Sequence, residues 1–243
     1  MAKKFLTLRF NTRGLPGTDL ARKYGCETNS VALLSPDGEV VARYLDKPSG
    51  AQVAEGIVGI PEVMAGEDQL AQLKAKGINK TNAELVGAAL KKIGTITSPK
   101  AQETILGYLK DEAHPEAVHR GAIVALAKQP AASKELVPYL TDKRTSIKSA
   151  AQTTLIAMGQ PGLPGLLDGL ASDKVEERVA AYGPAAAVTK NGRVARDLGF
   201  WKTGKEEDRA KALTEWKEWA ANQARPKPKD APKGKDTPAA KKK

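Results

Sequence analysis

The chain has 243 residues, 41% of them apolar but only 5% aromatic, and a formal net charge of +11. That is enough chain for one or two domains, with a core filled mainly by Ala, Leu and Val. Such a core suits closely packed helices better than a β-sandwich. The single cysteine, Cys26, excludes an intramolecular disulfide, a CxxC pair and a Cys-rich zinc site.

The opening "MAKKFLTLRFNTRG" has too short an apolar stretch for a signal peptide, and Arg9 interrupts it. No apolar run approaches the roughly 18 residues that would span a bilayer. These features predict a soluble, cytoplasmic protein without a membrane partner if Met1 is the true start; a start further upstream would allow a cell-envelope location.

Residues 4–10, "KFLTLRF", alternate apolar and polar side chains as a half-buried strand does. A short helix follows to about Tyr24, with Thr18 as its N-cap and Gly25 as its stop. "SVALL" reads as a second strand. The turn Ser35-Pro36-Asp37-Gly38 presets one dihedral with proline and accepts a positive one with glycine. "EVVARYL" returns as a third strand, and a helix starts near Ser49.

"FLTLRFNTRGLPGTDLARKYGC" followed by "VALLSPDGEVVARYL" resembles the C-terminal part of the thioredoxin fold. The resemblance covers about residues 4–58 and implies a partial α/β unit. In that family the CxxC pair lies upstream of the segment matched here by Phe5 to Phe10, where this chain has almost nothing. The family's cis-proline slot holds Ser30, and Cys26 stands in a slot that is usually apolar. The family's central strand, between "FLTLRF" and "SVALL", is missing. The sequence leaves two outcomes: "FLTLRF" pairs directly with "SVALL", or an edge stays open for another chain. The unit is expected to be sealed by the downstream helix, around residues 62–76, or by a partner.

From about Lys80 the period becomes helical. Apolar positions recur three and four apart in "NAELVGAALKKIG", "AQETILGYLKD", "EAVHRGAIVALAK", "SKELVPYLTD", "SIKSAAQTTLIAMG" and "PGLLDGLASD". Leu109-Lys110-Asp111 returns as Leu140-Thr141-Asp142 and again as Asp173, 31 residues apart each time. After each Asp comes a helix with small residues on its packing face: Gly121 and Ala122, Ala150 and Ala151, Ala180 and Ala181. A period near 31 with two helices per unit resembles short HEAT-type repeats over about residues 79–221, in which pairs stack because one pair cannot bury its apolar face alone. That family often has a basic residue soon after the turn Asp; Lys148 and Arg178 fit, and the first repeat offers His119. A last helix, 206–222, carries Leu213, Trp216 and Trp219 on one stripe and is expected to cap the stack. Residues 225–243 hold eight Lys or Arg against two Asp, a net of +6 that leaves +5 for the rest. They have no apolar face and are expected to be disordered.

Other motifs favour structural readings. Gly199 to Lys205 fits the start of a phosphate loop, but Glu206 replaces the hydroxyl and no strand precedes it, so it reads as a glycine-broken connection. The only histidines, His114 and His119, would point about 140° apart on a helix, which does not suit a shared metal. Glu176-Glu177 and Glu206-Glu207-Asp208 fall in helix first turns, where exposed N–H groups favour negative charge. "GQPGLPG", 159–165, reads as a turn between repeat helices. Cys26 lacks an activating neighbour and reads as a packed thiol.

The expected fold is mainly α: a HEAT-like α-solenoid preceded by a small partial thioredoxin-like α/β unit. The divisions are 1–60 for that unit, 61–78 for a connecting helix, 79–222 for the repeats with their Trp-containing terminal helix, and 223–243 for the basic tail. The expected function is non-enzymatic protein–protein interaction or scaffolding, with no catalytic, cofactor-binding or metal residues assigned and no cofactor. One alternative is a thiol-disulfide protein lacking its catalytic half. The other is a nucleic-acid binder acting through the basic tail or through a basic stripe on the second helices. Some HEAT-like proteins, such as alkylpurine DNA glycosylases, hold DNA on a basic face. Here Lys100, Lys110 and Lys134 alternate with Glu103 and Glu135, which weakens that reading.

Overall fold

The computed structural model describes residues 6–7, 31–34, 40–44, 49–190 and 195–224. The expected helix at 18–24, Cys26, Ser30, the turn at 35–38 and the tail at 225–243 lie outside these described residues.

Three strands, β1 (Leu6–Thr7), β2 (Val31–Leu34) and β3 (Val40–Tyr44), form an antiparallel sheet in that order. Of the two outcomes left open, β1 pairs directly with β2, setting Leu6 opposite Leu34 and Thr7 opposite Leu33. The β2–β3 register shifts between Leu33 and Leu34. Leu33 is buried in a small cluster with Ile60, Val63 and Ile96.

Ile60 and Val63 belong to α1 (Gly50–Ala75), which runs without a break past Pro61. The division expected at 60–61 therefore falls inside one continuous helix, although Pro61 withholds one helical N–H. The carbonyl left without that partner is that of Ile57, on a stretch where Ile57 and Val58 are 37% and 79% exposed. Further along α1, Leu70 and Leu73 enter the large core of the helical region. One helix therefore contributes to both apolar clusters.

The other described residues are mainly helical: α2 (Ala83–Ile93), α3 (Pro99–Lys110), α4 (Glu116–Ala125), α5 (Ser133–Leu136), α6 (Thr145–Met158), α7 (Leu163–Leu170), α8 (Val175–Thr189), α9 (Leu198–Thr203) and α10 (Glu206–Ala224). Local chemistry sets several boundaries. The Ser98 side chain accepts the Ala101 N–H at the start of α3, with Pro99 at its first turn. Gly159 ends α6 at a φ of 62°, a conformation that favours glycine. "SKELVPYLTD" is not one α-helix: α5 gives way to a 3-10 turn, Val137–Thr141, around Pro138, which has no N–H to continue the α ladder.

In one layer α1, α2, α4, α6 and α8 pack each on the next. In the other, α5 packs on α7 and α7 on α10. The pairs α3–α4 and α7–α8 join the layers. The 31-residue spacing appears as physical contact. Thr97 Oγ1 donates to the Lys128 carbonyl at 2.7 Å, and Ser98 N–H donates to Gln129 Oε1 at 3.1 Å, each across 31 positions. Tyr139 Oη donates to the Leu109 carbonyl across 30. At the turns, Asp111 accepts the Ala113 N–H and Asp142 the Arg144 N–H. In the third turn Ser172 Oγ accepts the Lys174 N–H, a role the sequence repeat assigns to Asp173.

Candidate interaction groove

The start of α7 and the flank of α10 enclose an open groove of about 660 Å³. Its floor is Pro161, Leu163, Pro164 and Leu167, and its far wall is Ala220 and Ala221. Lys134, Gln160, Asp168 and Lys217 stand at the edges.

The floor is apolar for a backbone reason. A helix start normally presents unpaired N–H groups. Here a 3-10 turn, Gln160–Gly162, runs into α7, and Pro161 and Pro164 withhold two of those donors. The far wall is placed by tryptophan packing. Trp216 is fully buried with its ring centroid 5.9 Å from that of Trp201, whose Nε1–H donates to the Ala195 carbonyl at 2.7 Å. With Trp216 anchored, the positions one, four and five residues later, Lys217, Ala220 and Ala221, flank α7.

The second-helix lysines do not form a free basic stripe. Lys100 pairs with Glu67 at 3.3 Å, Lys110 with Glu135 at 2.8 Å, and Lys134 with Asp168 at 2.7 Å. Lys217 makes no ion pair among the described residues.

The two histidines do not converge on one site. His114 lies before α4, stacked on Tyr108 with centroids 5.1 Å apart and facing Asp111 at 3.4 Å. His119 is 4% exposed, and its Nε2–H donates to the Asp111 carbonyl at 3.0 Å. That bond leaves Nδ1 as the unprotonated nitrogen, buried and without a partner. Burial is the main cause that pushes the His119 pKa down; nearby Arg144 and His114 add to it, while the Asp111 carbonyl and carboxylate oppose it. Among the described residues no three metal-ligating side chains cluster.

The basic residues after the turn aspartates differ in role. Arg178 is 4% exposed, and its Nη1 donates to the Ser172 and Asp173 carbonyls, both at 2.8 Å. Its Nε donates to the Trp201 carbonyl at 2.9 Å. Lys148 is exposed and holds no turn. The turn at Asp142 is instead clasped by Arg144, at 3.0 and 2.7 Å. That bond holds the Asp142 carboxyl below its usual range.

Gly199 to Lys205 is not a connection but mostly helix: α9, capped where Asp197 accepts the Phe200 N–H at 2.8 Å. Trp201 is buried in the core, so the stretch forms no phosphate cradle. Glu176 and Glu177 sit in the first turn of α8, and Glu206, Glu207 and Asp208 in that of α10. The Lys174 ammonium, then the Ser172 hydroxyl, lower the Glu177 pKa. The "GQPGLPG" stretch, read as a turn, supplies the groove floor. Its two prolines at a helix start were the available signal.

No helix among the described residues is long and apolar enough to cross a membrane. No family model matches the chain, and none of the curated proteins matches it.

Proposed function

We propose that the protein is a non-enzymatic interaction or scaffold protein: a HEAT-like solenoid of stacked helix pairs, preceded by a small partial thioredoxin-like unit. Hydrogen bonds between residues 30 and 31 apart support the repeat reading. The observation that carries the binding role is the groove. It is an apolar concavity of ligand-pocket size, built from residues about 50 positions apart and edged by charge. The paired second-helix lysines weigh against a nucleic-acid face.

The test is capture on the purified full chain in the presence of nuclease, followed by reconstitution of the captured protein from purified components. A stoichiometric complex in sedimentation velocity is expected. Capture that vanishes with nuclease would support the nucleic-acid alternative and defeat this proposal.

A further inference from the structure

We infer that the groove between α7 and α10 receives a short acidic–aliphatic peptide segment of a partner protein, with leucine-like side chains on the floor and a carboxylate at Lys217. This rests on the proposed binding role and adds where the partner sits and what it must carry.

Size and polarity set the first half. A concavity of about 660 Å³ holds several side chains. With two prolines in its wall, the helix start offers few donors to an anion deep in the groove, so the occupant's buried part is apolar. Charge sets the second half. Asp168 already engages Lys134 at 2.7 Å, which among the described residues leaves Lys217 as the uncompensated charge at the groove edge. A carboxylate on the occupant complements it.

The chain's own tail fits poorly. Residues 225–243 begin four positions beyond Ala221, but they carry a net charge of +6 and no apolar side chain larger than proline. They would bring like charge to Lys217 and nothing to fill the floor. Nucleobases fit no better, since among the described residues no aromatic ring lines the groove for stacking.

The experiment pans a random dodecapeptide library on the immobilised full chain and titrates the selected peptides as synthetic probes. Two full-chain variants at exposed groove positions are used, Lys217→Glu and Ala221→Trp, with Lys148→Glu on the separate groove between α6 and α8 as control. Circular dichroism confirms that each is folded. Selected peptides are expected to carry aliphatic residues next to Asp or Glu. Their affinity should fall about tenfold with Lys217→Glu, weaken with salt, disappear with Ala221→Trp and stay unchanged with Lys148→Glu. Peptides rich in Lys or Arg, or equal binding to Ala221→Trp, would overturn the inference. So would tighter groove binding by a synthetic 225–243 peptide, or a dimer that Ala221→Trp dissolves. If no peptide is selected but the reconstituted partner complex forms, the groove assignment fails and the binding role stands. If neither appears, both fail.

Discussion

Gly87 of α2 and Gly121 of α4 meet backbone to backbone, and the Gly87 Cα stands where a β-carbon on Gly121 would go. The contact lets two layer helices approach more closely than side chains would permit. Gly121→Ala must push backbone, not a flexible side chain, and is expected to cost about 1–3 kcal/mol. At roughly 2–4 °C per kcal/mol for a chain of this size, the melting temperature should drop by several degrees. Gly107, exposed within α3 with open space around it, is the control. Gly107→Ala should stabilise by about 0.5–1 kcal/mol through helix propensity. Equal responses in thermal melts would refute this assignment of the close contact.

Gln129, 1% exposed, joins two successive units. Its Nε2 donates to the Ile96 carbonyl at 2.6 Å, and its Oε1 accepts from Ser98 N–H. Gln129→Leu keeps the volume but removes both partners from buried backbone groups, at about 1–3 kcal/mol each. Urea unfolding should show a midpoint well below wild type. A change under 0.5 kcal/mol would mean that water replaces the clamp.

Arg178 ties the turn before α8 to the carbonyl of Trp201. Arg178→Lys cannot reproduce a fork that reaches three carbonyls, and is expected to cost about 2–3 kcal/mol. It should also alter tryptophan fluorescence, because Trp201 and Trp216 share that core. Unchanged emission together with unchanged stability would contradict this role.

His119 makes stability depend on pH. Its folded pKa lies below the unfolded value of about 6.5, so the unfolded state binds the proton first. The stabilisation is present above about pH 6.5 and is lost as pH falls through the lowered folded pKa. His119→Gln, which retains an amide donor for the Asp111 carbonyl, should flatten the slope in that window. The shifts at Asp142 and Glu177 act lower, in the carboxylate range below about pH 5. A wild-type curve that is flat between pH 7 and 5 would contradict the assignment.

Local chemistry in the sequence reached the three strands, the helix start near Ser49 and the 31-residue spacing, because turns and alternating side chains act over a few residues, but it left the pairing of β1 with β2 open. Two expectations differ from the structure at prolines. The division at 60–61 falls inside α1, which runs on through Pro61 beside the exposed Ile57 and Val58. Pro138 looks tolerable in a helix but turns α5 into 3-10 geometry. Helix α9 was hidden because Gly199 and Gly204 suggest a broken connection, whereas the Asp197 cap and the burial of Trp201 fix a helical turn. Beyond the two prolines of its floor, the groove could not be read from pattern. It exists because Trp216 finds Trp201, a pairing set by packing between distant segments, and that pairing lays Ala220 and Ala221 beside Leu167.

The most direct test is hydrogen–deuterium exchange on the full chain, alone and with its reconstituted partner. Binding through the groove predicts added protection confined to residues 160–168 and 214–222, with α2 and α4 unchanged. Protection that instead falls on α2 and α4, or that is absent when a stoichiometric complex has formed, would contradict an interaction protein that works through this groove.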